Sequence, residues 1–396
     1  MEKEMLKGCI KRWFYERFEV EKLKEPVKYQ ITKPLPKSIG WFHTLGSMSL
    51  FLFFSQVITG ILLLIYYRPT VDEAFESVKF ITTTAHMGWL YRQVHAWGAN
   101  LMVIIVFLHM LRTFVTGSFK KPRELTWVIG VFLFVLTLVF GFTGYLLPWN
   151  QLAYWATTVG TEIAGSIPVI GEPLKTLLRG GSSVGGETIS RFFVVHVIIL
   201  PWVVFFLVAV HLFLVRLQGI ATTEPVGKEE KVKEKEGIPF FPHHVVKEGI
   251  VFYFLLGILI TLCILMPFDL GEKADPLQTP HAIKPEWYFL PMYQVLKYFP
   301  KLTGIFVTSL APLLLFLWPF LDRSKERHPL KRPVSMTIGV LVVLSLVVFG
   351  VLGHVAETRV KVWGKVYEFD IYGKPHLISP AAGDPGSRSS DQREPH

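Results

Sequence analysis

The sequence predicts an all-α, polytopic transmembrane helical bundle of about seven spans. Three observations predict it. The chain is 51% apolar and 14% aromatic over 396 residues. Long, nearly uncharged stretches recur at about 41–66, 93–112, 126–147, 190–215, 248–267, 302–321 and 334–353, each near the ~20 residues a bilayer core requires. Two of those stretches carry the histidine pairs His95/His109 and His196/His211. Imidazole is costly at membrane depth and is kept there for a function.

The net charge of +10 could suggest nucleic acid, but its distribution reads as topology. Segments 1–40, 112–125, 216–247 and 322–333 hold 25 Lys and Arg, against 10 in the alternate segments 67–92, 148–191 and 268–301. Cytoplasmic loops collect these residues. The N-terminus is therefore expected inside, the tail after the seventh span outside, and no nucleic-acid partner is expected. The first 38 residues are charged throughout, so no cleavable signal peptide is visible.

Five segments follow in order. Residues 1–40 mix charge with Trp13, Phe14, Tyr15 and Phe18 and read as an interfacial amphipathic segment, closed by Pro34 and Pro36. A four-span domain covers 41–221. Its long connection, 148–189, is expected to hold short helices on the outer surface. Residues 222–247 form a charged inner linker. A three-span domain covers 248–353, and 354–396 form a polar outer tail whose composition reads as disordered. The two cysteines, Cys9 and Cys263, lie far apart, so neither a disulfide framework nor a thiolate metal site is expected. Asparagine, which thermophile proteins tend to avoid, occurs only at Asn100 and Asn150.

The histidine spacing is the sharpest clue. His95 and His109 are 14 residues apart, about 40° short of four helical turns and about 21 Å along the axis. His196 and His211 are 15 apart, about 60° past four turns and about 22.5 Å. Each pair shares a face near opposite ends of the core. The second and fourth spans run the same way, so His95 levels with His196 near the outer side and His109 with His211 near the inner side. Two bis-histidine iron sites of the haem type fit this pattern, held inside a four-helix bundle. Pro201 should kink the fourth span and could absorb its additional residue.

Glycines repeat the interval. Gly46 and Gly60 lie 14 apart on the first span, and Gly130 and Gly144 lie 14 apart on the third. Glycine admits a flat group close to the backbone. Helix packing through small residues explains glycines, but not their register with histidines. Arg92 and Arg191 at the outer ends, and Arg112 at the inner end, suit haem propionates.

A second motif, Pro285-Glu286-Trp287-Tyr288, follows the fifth span. Pro285 suits a helix start and Glu286 its first turn. A carboxylate at the mouth of an apolar pocket could also accept a proton from a hydroxylated apolar substrate.

Together the four glycines, the four histidines, GYLLPWNQLAYWATTV at 144–159, RFFVVH at 191–196 and KPEWYFL at 284–290 resemble the cytochrome b subunit of the quinol–cytochrome c oxidoreductase (cytochrome bc complex) family. The resemblance spans about 10–353 and implies two non-covalent b-type haems, the low-potential one on His95 and His196 and the high-potential one on His109 and His211. It implies quinol oxidation near the outer face, with Glu286, Tyr145 and Tyr288 catalytic and Pro285, Trp155 and Ala156 lining the site. It implies quinone reduction near Arg216, Lys247 and Glu248, coupled to proton translocation by a Q cycle. The implied partners are a Rieske iron–sulfur protein, a c-type cytochrome subunit, membrane lipid and a second copy of the complex. The implied location is a prokaryotic cytoplasmic membrane.

Departures from the family pattern are informative. Arg216 stands where mitochondrial relatives have an inner-site histidine, which leaves His243, His244 or Glu248 as substitutes. The 15-residue interval and the seven spans resemble the chloroplast-type branch with its two pieces fused. Thr44 replaces that branch's tethering cysteine, so only two haems are expected. Ala156 replaces a glycine found in inhibitor-sensitive relatives, so methoxyacrylate-type inhibitors should bind poorly and Ala156→Gly should restore sensitivity. A haem-bearing membrane anchor would lack the Pro-Glu-Trp-Tyr loop, and a histidine-relay transporter would need no glycine register.

Overall fold

The computed structural model describes residues 2–378 apart from 19, 33, 37–38, 222–223, 228–237, 281–282 and 364. Seven helical segments are long and apolar enough to cross a membrane: Trp41–Leu64, Gly88–Val115, Glu124–Leu146, Gly186–Gln218, Phe240–Leu265, Lys301–Leu321 and Pro333–Val355. These are the seven expected stretches. The second, fourth and fifth begin several residues earlier than expected, because their first turns are polar and leave no mark on an apolar run.

The helices in chain order are α1 (Glu2–Phe18), α2 (Val20–Thr32), α3 (Leu45–Leu64), α4 (Ala74–Thr83), α5 (Gly88–Val115), α6 (Glu124–Leu146), α7 (Gln151–Gly165), α8 (Gly171–Arg179), α9 (Gly186–Val194), α10 (Leu200–Gln218), α11 (Val245–Leu265), α12 (Leu290–Lys297), α13 (Lys301–Leu321) and α14 (Pro333–Val355). A 3₁₀ turn, Trp41–Thr44, leads into α3. The bundle core is a chain of packed neighbours: α3 on α5, α5 on α6, and α6 on α10. Helix α11 packs on α5 and α3, α13 on α6, and α14 on α12. The spans are apolar all round, with Phe205, Phe206, Phe213 and Phe254 exposed, as lipid-facing helices are. Helical hydrogen bonding satisfies their backbones internally, which a bilayer demands.

The fourth span is not one regular helix. Between α9 and α10 lies a π turn, Val195–Ile199, in which Leu200 N–H donates to the Val195 carbonyl five residues back. Pro201 follows at the start of α10 and has no N–H to continue the α pattern. A π turn accommodates one residue more than an α turn. The 15-residue interval between His196 and His211 is thereby equivalent to the 14 of the second span.

At one end of the bundle α4, α7, α9 and the last turn of α6 share a core of Phe75, Leu146, Trp149, Tyr154, Ile189 and Phe192. Helices α7 and α8 are the short helices expected in the 148–189 connection. Arg179 fastens them. It is 3% exposed, and donates to Thr161 Oγ1 (2.7 Å), Glu162 Oε1 (2.8 Å) and the Thr158 carbonyl. Those partners offset the cost of burying a guanidinium.

The other end is closed by a two-residue antiparallel pair, β1 (Pro34–Leu35) with β2 (Ile238–Pro239), which ties the approach to the first span to the start of the fifth. Here too Lys120 donates to Asp322 Oδ1 at 2.6 Å, and Ser335 to Asp322 Oδ2 at 2.8 Å. Burial raises the Asp322 pKa, but the hydrogen bonds from Lys120 and Ser335 and the charges of Lys120 and Arg332 outweigh it and leave it below its ordinary value.

Two expectations need correction. The segment after the seventh span is not wholly irregular. It opens with a three-stranded antiparallel sheet, β3 (Arg359–Val362), β4 (Lys365–Phe369) and β5 (Pro375–Ile378). Its short strands are rich in β-branched and aromatic residues, a local signal that the polar composition of the last residues masks. Pro285 and Glu286 do not start a helix. The chain turns, with Phe289 N–H donating to the Glu286 carbonyl, and α12 begins at Leu290 with Pro291 in the helix-start position. Most of the charged stretch in the 222–247 linker, and residues 379–396, lie outside the described residues.

Candidate functional site

Helix α5 carries His95 and His109, and the fourth span carries His196 and His211. The rings of His95 and His196 face each other across the bundle with centres 6.3 Å apart. His109 and His211 are electrostatic neighbours at the other level. Each histidine rests on one of the four glycines. A Cβ at Gly144 would lie 2.5 Å from His196 Cε1, and one at Gly46 would lie 3.1 Å from His109 Cε1. At Gly60 and Gly130 the corresponding distances, to His95 and His211, are 3.5 Å. The glycines therefore open the space that the histidine rings use.

Hydrogen bonding fixes the tautomer at one level. The Thr59 hydroxyl donates to the Ser55 carbonyl at 2.7 Å, and its oxygen lies 2.9 Å from His95 Nδ1. The Thr143 hydroxyl donates to the Val139 carbonyl at 2.9 Å, and its oxygen lies 3.1 Å from His196 Nδ1. A hydroxyl has one proton. With that proton given to a carbonyl, the oxygen can only accept, so each Nδ1 carries a hydrogen. Both rings then keep a free lone pair on Nε2, the state a metal ligand needs.

These residues fit a haem. A metal held between two nitrogens at about 2 Å each would set the ring centres roughly 6 Å apart, as His95 and His196 are. Among the described residues no cluster of three or more His, Cys, Asp or Glu could hold a bare ion. A metal bound by two histidines must bring its remaining ligands with it, as a porphyrin does. At the second level no threonine hydroxyl meets His211, which turns to the Thr126 backbone four residues before Gly130.

The three arginines differ in surroundings. Arg92 donates to the Phe268 and Asp269 carbonyls at 3.1 and 3.2 Å, beside a reciprocal pair between Gln93 and the Phe268 backbone. Arg191 donates to the Leu177 carbonyl at 2.5 Å. Arg92 therefore anchors the 268–269 loop, and Arg191 the end of α8. Arg112 lies within electrostatic reach of His109 and His43.

The Pro285–Tyr288 turn lies over the end of α6. Glu286 is an electrostatic neighbour of both Tyr145 and Tyr288. Burial pushes the Glu286 carboxyl above its ordinary range. Burial first, then Glu286 and Tyr145, raise the Tyr288 phenol. Gly141 makes room for Tyr288: a Cβ there would lie 2.5 Å from its hydroxyl oxygen. Trp287 Nε1 donates to Asn100 Oδ1 at 2.6 Å. Phe142 bridges this turn to the rest of the end, meeting Phe289 edge-on at 6.5 Å and occupying the space over Gly160 on α7. Trp155 and Ala156 are half-buried on α7, and Trp155 Nε1 is buried without a partner.

At the opposite end Lys247 Nζ donates to the Ile39 carbonyl at 3.1 Å and lies over the Trp41 ring. Glu248 pairs with His244 at 3.2 Å, whereas His243 is exposed. Arg216 stacks on Phe240. Sequence reasoning missed a member of this cluster, His43, which has Arg112, His244 and Lys247 as electrostatic neighbours. Its Nδ1 accepts from the Gly40 N–H at 3.1 Å. The legible signal was a histidine three residues before Gly46, a glycine of the register. Thr59 and Thr143 were missed as well, although each directly precedes a glycine of the register.

Comparison with known proteins settles the family. Residues 30–219 match the family model for cytochrome b/b6/petB, and 273–369 match the model for the cytochrome b C-terminal/b6/petD region. A cytochrome bc complex cytochrome b subunit from Chlorobaculum thiosulfatiphilum is 42% identical over 352 residues, covering 87% of this chain and 81% of the relative. The chain belongs to the cytochrome b family. A cytochrome b6 from Synechocystis is 43% identical over 219 residues, 55% of this chain and 97% of that one. A solved chain described as hyperthermophilic respiratory complex III superposes with a TM-score of 0.80 at 33% identity, covering 88% of this chain and 92% of that one. As a cytochrome b of a bc-type complex, the protein is a haem-binding, multi-pass membrane subunit of an oxidoreductase that works with partner subunits.

Proposed function

We propose that this cytochrome b is the dihaem core of a respiratory quinol–cytochrome c oxidoreductase, oxidising quinol at one membrane face and reducing quinone at the other in a Q cycle. The observation that carries the reading is the four-way match of histidine to glycine at two depths. Two b-type haems, when bound, supply one-electron redox centres there. His95 and His196 hold the low-potential haem, and His109 and His211 the high-potential one. Arg112, Arg92 and Arg191 would neutralise the haem carboxylates.

The quinol site lies between Tyr145, α7 and the Pro285–Tyr288 turn. Quinol gives up two electrons and two protons to become quinone. Glu286 accepts a proton from the substrate hydroxyl, which its raised pKa suits. Tyr145 and Tyr288 flank it, while Pro285, Trp155 and Ala156 shape the apolar wall. One electron leaves to a Rieske iron–sulfur partner and onward to a c-type cytochrome, and the other enters the bundle. At the far end Arg216, Lys247 and Glu248 bind quinone. His43 adds a donor: its Nδ1 accepts from backbone, so the neutral ring carries its proton on Nε2. His244, held by Glu248, is favoured over the exposed His243 as the second imidazole. The N-terminus lies inside a prokaryotic cytoplasmic membrane, and the complex is a homodimer.

Glu286→Gln tests the reading. Quinol oxidation should fall by about 100-fold with both haem spectra unchanged; an unchanged rate would make Glu286 structural only. The pH profile adds a sign. Burial raises the Glu286 pKa, so protonation removes the base at higher pH than for an ordinary carboxylate. Turnover should fall as pH drops through that raised value, and the Gln variant should lose that limb.

A further inference from the structure

One face of α5 is a row of hydrogen-bonding side chains, set opposite the face that carries its two histidines. Gln93, Trp97 and Asn100 follow one another at helical spacing, within about 60° around the axis and on the side away from His95 and His109. Each takes hold of the chain between the end of α11 and the quinol-site turn. Gln93 exchanges two hydrogen bonds with the Phe268 backbone, at 2.9 and 2.8 Å. Trp97 Nε1 donates to the Met266 carbonyl at 2.8 Å. Asn100 Oδ1 accepts from Trp287 Nε1 at 2.6 Å. The first two hold the loop that follows the fifth span. The third holds the residue beside Glu286.

Asn100 sits where polar groups are rare. It lies near the middle of α5 (Gly88–Val115), about 7.5 Å beyond His95 along the axis. A carboxamide at that depth is unfavourable unless both its ends are satisfied, and both are. Its Nδ2 donates to the Ala96 carbonyl at 2.9 Å. That carbonyl can only accept and the indole N–H can only donate, so the amide has one orientation, with its oxygen toward Trp287. Nothing grips the Glu286 carboxylate directly: among the described residues no hydrogen bond reaches its side chain. Its place is set by its neighbours in the turn. Lys284 Nζ donates to the His354 carbonyl at 2.6 Å, and Tyr288 fills the space over Gly141. Trp287 is the neighbour tied to the helix that carries His95.

We infer that Asn100 is a positioning residue for quinol oxidation, holding Glu286 in its working place through Trp287. The inference rests on the quinol-site reading above. Asn100 does not touch substrate. It fixes the proton acceptor relative to the helix that bears His95, and loss of its amide lets the turn relax and Glu286 draw away from the substrate hydroxyl. Proton transfer is sensitive to that displacement, because acceptor and proton must stand within hydrogen-bond reach. Gln93 and Trp97 meanwhile keep the preceding loop in place. The effect therefore falls on the rate with quinol bound and leaves quinol binding nearly untouched.

The test is a double-mutant cycle in the purified complex, with decylubiquinol and a short-chain menaquinol as donors and b-haem reduction followed by stopped flow. Asn100→Leu is close to asparagine in size and has no polar side-chain atom. It should slow haem reduction at saturating quinol about tenfold, keep the quinol KM within about threefold, and leave both haem spectra and potentials as in wild type. Trp287→Phe, which removes the donor and keeps a ring, should do the same. Adding Glu286→Gln to Asn100→Leu should slow the reaction only about tenfold further, against the ~100-fold effect of Glu286→Gln alone. A general structural defect would instead leave the two effects independent. A wild-type rate in Asn100→Leu, or independent effects multiplying to about 1000-fold, would overturn the proposal. A loss in Asn100→Leu with none in Glu286→Gln would remove the quinol-site reading on which it rests. Should Asn100→Leu fail to assemble, Trp287→Phe and its cycle with Glu286→Gln decide.

Discussion

The two histidine levels of the bundle are built alike and finished differently. At each level two rings rest on two glycines. At one level the residue before each glycine is threonine, Thr59 and Thr143, and both hydroxyl oxygens reach a histidine Nδ1. At the other level the same positions are Leu45 and Ile129, which carry no hydroxyl, and His211 turns to the Thr126 backbone instead. The first pair is set in its ligating tautomer by the protein alone. Partners of this kind tune a metal ligand's basicity, so the difference predicts that the two ligand pairs would give bound centres different potentials.

The comparison can be broken most directly by removing a ligand. His109→Leu should abolish one of two b-type signals in a redox-titrated difference spectrum and leave the His95/His196 signal. Survival of both signals, or loss of both, would refute the pairing. The glycines give a graded version. Gly144→Ala places a methyl 2.5 Å from the His196 ring and should lose that haem, whereas Gly60→Ala meets His95 at 3.5 Å, an ordinary contact, and should keep it. Equal haem content in the two variants would mean that the glycines serve helix packing instead.

The finest test concerns the threonines. Thr143→Val removes one of two acceptors for His196, leaving the Phe140 backbone, and makes the ring less basic, which disfavours oxidised iron. The potential at that level should rise by about 20–60 mV. Ile129→Thr should do the reverse at the other level by giving His211 a hydroxyl acceptor beside the Thr126 backbone. Potentials that move by neither variant would show that the asymmetry lies elsewhere, for instance in the charge of Arg112.

Much of this was open to a reader of the sequence. Spans declare themselves because a bilayer demands long uncharged runs. The 14-residue intervals survive because a helix converts spacing into facing. The π turn was half legible: Pro201 and a 15-residue interval said that something must yield, not that a π turn would take up the extra residue. The Pro285 turn was misjudged because Pro285 and Pro291 both suit a helix start, and only the packing of Tyr288 against Gly141 and of Trp287 against Asn100 separates them. His43 was overlooked since a lone histidine near a span end has many bland explanations. Its neighbours Arg112, His244 and Lys247 come from two other spans.

The sequence by itself determined the membrane class, the number of spans, and which histidines and glycines share a face. Those follow from local rules: the length of apolar runs and the pitch of one helix. Only the tertiary structure decided which hydroxyl meets which imidazole, how Glu286 comes to be half-buried beside two phenols, and where orphan donors gather between α13 and α14. Each depends on side chains from separate helices meeting at particular distances, and neither spacing nor composition within a single helix specifies the partner that packing brings to it.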